Sequence, residues 1–322
     1  MNFEIENLFW INDIYENLDF KSLPHGIIIS GPDGIGKRIL ANEIITSLLI
    51  KKSTTNHKQL IERNNHPDFF LLDRDKINLN HITYRDVWDE DKGTRNINDF
   101  LSITPSISDN KVALIVNAQI MNHACQNALL KSLEEPAPNS YVIMLINRPR
   151  SLIKTVYSRC QVISIPELSS KKIIQWLESN GISDLNSNIV PSFSSPLSII
   201  KNIQENKDDN FKNFISIMSH FIESKISCST AIKKMYDLDN TLIMKINFLV
   251  EFLKIILKSK LTSENLSGIY NKYNISKFSN LKISNILNEL NDLRFNYYRV
   301  SQINENHVLN YFLSEVKGSI KI

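Results

Sequence analysis

Glycine placement constrains this chain more than any other feature. Only 8 glycines occur in 322 residues, and four of them, Gly26, Gly31, Gly34 and Gly36, fall in one stretch, LPHGIIISGPDGIGKRILANEIITSLL. A chain that does without glycine elsewhere uses it here for backbone shape. Ile27 to Ile29 form a short apolar run, which reads as a buried strand. Ile39, Leu40, Ile44, Leu48 and Leu49 recur near the helical period and predict an amphipathic helix. Between them, Gly31 to Lys37 matches G-x-x-x-x-G-K. In such a loop the backbone N–H groups wrap phosphates and the helix N-terminus adds its dipole. The lysine reaches the β and γ phosphates. The competing reading is a tight strand–helix turn that holds no ligand.

Two further positions argue against turnover. Hydrolysis needs Ser or Thr after the lysine, because that hydroxyl ligates Mg²⁺. Here the residue is Arg38, which has no acceptor oxygen and carries positive charge. A working ATPase also ends its next central strand in carboxylates, for the metal and the attacking water. The run VALIVNAQ offers Val116 and Asn117 instead. Phosphate binding through Lys37 survives these losses on paper; hydrolysis by this chain is not expected.

Four more short apolar runs follow: Phe69–Leu72, Val112–Val116, Val142–Ile146 and Val162–Ile165. Runs without alternation predict strands covered on both faces. Helical segments such as Ala124–Glu135 lie between them, which predicts a parallel sheet in an α/β domain. The polar segment Lys51–Asn65 reads as an exposed loop. After Pro166 no further strand is evident. Lys171–Ser179 and Pro196–Ile203 read as short helices, and from about Phe211 onward the pattern is helical. There Ile246, Leu249, Val250, Leu253 and Leu257 follow the helical spacing, and Ile283–Tyr298 and His307–Val316 repeat the style. Boundaries are placed near residues 166 and 207, giving three parts, 1–166, 167–207 and 208–322.

Composition narrows the function classes. Length alone suggests about two domains, at roughly 150 residues each. The 42% hydrophobic residues supply a packed core, and 22% charged residues exclude a disordered tail. A net charge of +3 allows contact with DNA without predicting it. Three widely spaced cysteines, Cys125, Cys160 and Cys228, exclude a disulfide scaffold and a four-cysteine zinc site, and fit a reducing, cytoplasmic setting. The greasiest stretch, Leu242 to Leu257, is broken by Lys245, Glu251 and Lys254, so no membrane span is expected. The N-terminus lacks the basic region of a signal peptide. His25, His66 and His123 show no metal-ligand spacing.

The run from Asn127 to Pro166, NALLKSLEEPAPNSYVIMLINRPRSLIKTVYSRCQVISIP, resembles the AAA+ subunits of DNA polymerase clamp loaders. Those subunits carry N-A-L-L-K-x-L-E-E-P, then a strand ending in Thr or Asn, then S-R-C. Here the matches are Asn127–Pro136, Asn147 and Ser158-Arg159-Cys160. LPHG before the first strand and His66-Pro67-Asp68 also fit. The resemblance covers residues 1 to about 205, and beyond that only in helical character. It implies an AAA+ P-loop domain over 1–166, a helical lid over 167–207 and an all-α collar over 208–322. Within the family the hydrolysing gamma/tau class has an intact G-K-[ST], acidic strand ends and a zinc module; this chain lacks all three. It is similar to the delta-prime class, although it also lacks the zinc module that some delta-prime members have.

The resemblance implies a non-catalytic subunit of the DNA polymerase III clamp loader. That subunit would help load the sliding clamp onto primed DNA, beside gamma/tau and delta subunits, as part of a nucleotidyltransferase holoenzyme. Arg159 would be an arginine finger acting in trans on a neighbour's ATP; the alternative is a surface arginine capping a helix C-terminus. Asn147 matches the sensor-1 position, with a strand-end amide as the equal alternative. Gly31, Gly34, Gly36, Lys37 and Arg38 would form a degenerate loop with at most weak ATP or ADP binding, needing no cofactor and no zinc. Ser194 to Ser198 matches the sensor-2 helix start, but Ser198 stands where the ATPases have arginine. Glu134 and Glu135 are expected to be structural or at an interface, and Cys160 to be packed. A stand-alone AAA+ ATPase, or a nucleotide-binding switch, are the competing functions.

Overall fold

Among the described residues, five strands form one parallel sheet: β1 (Gly26–Ser30), β2 (Phe69–Leu72), β3 (Lys111–Ile115), β4 (Ser140–Ile146) and β5 (Gln161–Ser164), in the order β2-β3-β4-β1-β5. The computed structural model describes residues 4–50, 57–83, 96–182, 195–205, 209–262, 278–297 and 303–320. β1 lies between β4 and β5, with Ser30 opposite both Ile146 and Ser164. Its three isoleucines, Ile27 to Ile29, are wholly buried. Burying side chains of this size stabilises a fold by about 1.5–3 kcal/mol each, so this interior strand anchors the domain.

Helix α1 (Phe9–Glu16) precedes β1, and helices connect the strands: α2 (Lys37–Leu49), α3 (His57–Glu62), α4 (Leu79–Ile82), α5 (Ile97–Ser102), α6 (His123–Glu134) and α7 (Lys154–Tyr157). Leu129 and Leu133 of α6, Phe100 of α5 and Met144 of β4 share one apolar core on one side of the sheet. Parallel strands need such crossovers, and the helices cover the faces. The C-terminal ends of β1, β3 and β4 come out at the same end of the sheet, where open α/β sheets hold their ligands.

Two sequence expectations need correction. β5 is not covered on both faces: only Ile163 of its four residues is buried, and among the described residues β5 is an edge strand. Lys51–Asn65 is not a plain exposed loop. Lys51 to Asn56 lie outside the described residues, but His57–Glu62 is helix α3, with His57 and Ile61 buried.

The chain divides into two units, Met1–Glu167 and Leu168–Ile322. The second is helical: α8 (Ser170–Ser179), α9 (Pro196–Gln204), α10 (Asn210–Ile222), α11 (Cys228–Tyr236), α12 (Leu242–Thr262), α13 (Asn280–Asn296) and α14 (Glu305–Gly318). Leu249, Phe252, Leu253 and Ile256 put one stripe of α12 into a core with Phe214, Phe221, Leu290 and Val316. Lys245 is buried in the same helix, and its ammonium is satisfied by Glu305 of α14 at 2.7 Å and lies 4.7 Å from the Tyr236 ring centre. No helix among the described residues is long and apolar enough to cross a membrane.

Candidate functional site

The glycine loop leaves β1 at Gly31, whose N–H donates to Ile146 O of β4 at 3.2 Å. Gly34 lies within the loop and Gly36 is the N-cap of α2, with φ of +106°. A side chain at Gly36 would be strained and would also press on Ile11 of α1, whose Cγ1 lies 3.2 Å from the position of an added Cβ. The α1 helix holds the loop a second way: the Trp10 indole N–H donates to Ile35 O at 2.8 Å.

Lys37 does not extend outward. It is 7% exposed, and its ammonium donates to Gly31 O at 2.8 Å and Pro32 O at 2.7 Å. Asp33, at 3.8 Å, is its ionic neighbour. Burial lowers the Lys37 pKa to about 8, and Asp33 only partly opposes this. The cation that would meet a phosphate is thus turned onto the loop's own carbonyls. Arg38, in the position where a hydroxyl would hold the metal, pairs with Asp73 just beyond β2 at 2.9 Å. The ends of β3 and β4 carry amides: Asn147 Nδ2 and Gln119 Nε2 each donate to Asn117 Oδ1 at 3.3 Å. Asn147 therefore sits beside the loop and is bonded within an amide cluster. Ser194 lies outside the described residues, and Ser195 is the N-cap of α9 in the second unit.

Ser158-Arg159-Cys160 lies elsewhere, between α7 and β5. Cys160 Sγ would stand 2.7 Å from a Cβ added at Gly26, and Arg159 O 3.1 Å from it. The motif thus seats against the first residue of β1, where only glycine leaves room. Burial pushes the Cys160 thiol up to about 12, so it stays protonated and packs. Gly26 and Gly31 are five residues apart along the strand, or about 16 Å. Arg159 therefore stands at the opposite end of β1 from the glycine loop of its own chain. Its guanidinium donates to Thr155 O at 3.0 Å, capping the short α7, and meets Glu134 Oε1 of α6 at 2.7 Å.

A polar cluster that the sequence reading did not anticipate lies between α3 and β2. His57 Nδ1 and His66 Nε2 are 2.9 Å apart, and both rings are buried. The Asp68 N–H donates to His66 Nδ1, so Nε2 of His66 carries the proton toward His57. Burial lowers the His66 pKa, and His57 adds to this, against the pull of Asp68. Burial alone would raise the Asp68 pKa, but N–H groups of Ile107, Ser106 and Ser108 outweigh it and hold the carboxyl low. The only sequence sign was His66-Pro67-Asp68 ahead of a strand. Among the described residues no group of three or more His, Cys, Asp or Glu is placed to hold a metal ion.

The profile of the family described as "DNA polymerase III, delta subunit" matches residues 9–169. DNA polymerase III subunit delta' of Haemophilus influenzae is 27% identical to this chain over 219 residues, 64% of each protein. The same subunit of Pseudomonas aeruginosa is 31% identical over 164 residues, 48% of this chain and 46% of the relative. DNA polymerase III subunit gamma of Buchnera aphidicola is 29% identical over 180 residues, 52% and 45%. The chain spans about half to just under two thirds of the length of these curated relatives.

Proposed function

The chain belongs to the family described as "DNA polymerase III, delta subunit", and on that premise we propose that it is a non-hydrolysing, delta-prime-type subunit of the clamp loader. In this reading it assembles with gamma/tau-type and delta-type subunits, helps place the sliding clamp on primed DNA, and lends Arg159 to the ATP held by a gamma-type neighbour. Residues 167–207 would act as the lid and 208–322 as the collar that joins the subunits. The glycine loop, with Lys37 turned inward, would bind ATP or ADP weakly and need no cofactor.

One observation carries the reading. Arg159 sits about 16 Å along β1 from its own loop, by strand geometry, and its side chain keeps 34% of its surface in solvent. A guanidinium so placed can serve a bound phosphate only on another chain. There it would stabilise the charge that develops in phosphoryl transfer, an effect worth about 10³ to 10⁵ in rate. The inward Lys37, Arg38 beside Asp73 and the amides Asn117 and Asn147 support the second half of the reading, that this chain does not hydrolyse.

The test is ATP turnover of a complex reconstituted with gamma-type and delta-type subunits. Arg159→Ala is expected to remove the turnover of the adjoining site while the isolated chain stays folded and loses no more than about 1 kcal/mol of stability. The isolated wild-type chain is expected to show no turnover. A full rate in the Arg159→Ala complex, or brisk hydrolysis by the lone chain, overturns the reading.

A further inference from the structure

The Arg159 guanidinium already has an anionic partner. Nη2 lies 2.7 Å from Glu134 Oε1, while Nη1 donates to Thr155 O at 3.0 Å and Ser158 Oγ at 3.1 Å. Glu134 is the last residue of α6. A carboxylate there faces the negative end of the helix dipole, which disfavours it, and Arg159 is the cation that compensates. The adjacent Glu135 is also exposed, yet it is Glu134 that reaches Arg159. We propose that Glu134 is a positioning residue: an internal counter-ion that keeps Arg159 folded against its own subunit and gives it up to the neighbour's γ-phosphate on assembly. This rests on Arg159 acting in trans.

Magnitudes favour an exchange. The pair is half in solvent, at 34% exposure for Arg159 and 46% for Glu134. Ion pairs this exposed shift an equilibrium by a factor of about one to five, so little holds the guanidinium back from a bound phosphate, which carries more charge than a carboxylate and matches the fork of Arg159. The phosphate therefore wins the exchange. The bonds of Nη1 to Thr155 and Ser158 hold the other edge of the guanidinium, so only the tip changes partner. Until then the carboxylate competes with phosphate for the same N–H groups.

The test uses the reconstituted complex with Glu134→Gln, which keeps the side-chain shape and removes the charge. The KM for ATP is expected to fall by a factor of about two to five, with kcat within about twofold, since the lost competition acts on binding. The gain should shrink when salt is raised from 0.05 to about 0.5 M, because exposed pairs are screened. Glu135→Gln, the matched control, should change nothing, and Glu134→Gln should have no effect in an Arg159→Ala background. A Glu134→Gln complex with unchanged or raised KM, or the same shift without Arg159, overturns the counter-ion while a loss on Arg159→Ala alone still supports the finger. If Arg159→Ala itself leaves turnover intact, both readings fall.

Discussion

At the C-terminal end of β1, Lys37 is 7% exposed and its ammonium is held by two carbonyls of its own loop. At the N-terminal end, Arg159 keeps a third of its side chain in solvent and has a half-exposed carboxylate as partner. Both are cations at the border of the same strand. One has been drawn into the backbone and stripped of water; the other is presented. The packing beneath them differs in the same sense. The loop is held down by α1 through Trp10 and Ile11, whereas the arginine stands on a thiol seated against a bare glycine. One strand thus carries a cation withdrawn from water at one end and a cation open to solvent at the other, the contrast that the proposed trans role of Arg159 requires.

The comparison breaks most easily at the seat. Gly26→Val puts a branched side chain where Cys160 Sγ, Leu133 Cδ2 and Arg159 O stand within 3.1 Å of the first added carbon. Overpacking of this kind, against backbone as well as side chains, falls at the upper end of the usual range, about 3 kcal/mol, read as a loss in chemical-denaturation stability. Adding Cys160→Ala should recover part of it. Full stability in Gly26→Val would mean that the arginine is not seated as described.

Lys37 should give a smaller effect with a distinctive pH dependence. Its folded pKa of about 8 lies below the ordinary 10.5, so the folded chain binds fewer protons than the unfolded one between these values. Wild-type stability should then rise from pH 8 to 10.5 relative to Lys37→Met, by about 2–3 kcal/mol. Below pH 8 the charged ammonium is a burden that the variant lacks. Parallel curves for the two proteins would show that Lys37 is not desolvated. Arg38→Ala should be the mildest change. Its pairing with Asp73 is at the surface, with the two side chains 39% and 48% exposed, and removing it should alter stability by no more than about 1 kcal/mol. A larger loss in thermal melting would give Arg38 a structural role comparable to the seat.

What could be read from the chain alone follows how local each signal is. The strands were legible because each is a short run of apolar residues set between polar residues or proline; Phe69–Leu72 appears as read. The glycine loop was legible because its residues are contiguous. β5 was misjudged because Val162 and Ile163 look alike in sequence, and only the sheet order leaves Val162 outside. The pairing of Arg38 with Asp73 spans 35 residues and that of Arg159 with Glu134 spans 25, and no periodicity reports a partner at such distance. The buried imidazoles were hidden by their polar neighbours: α3 reads HKQLIE, and its helical turn buries His57 and Ile61 together.

The open side of β5 has a consequence for self-association. An unpaired strand edge offers its N–H and C=O groups to any extended peptide and so invites sheet growth between molecules. Here the offer is brief. The strand is four residues long, the next N–H, that of Ile165, is taken by Ser30 O at 2.7 Å, and Pro166 has none to give. Among the described residues, this border of the sheet thus offers only a short run of pairing groups, and the proline that ends it limits growth by a further strand.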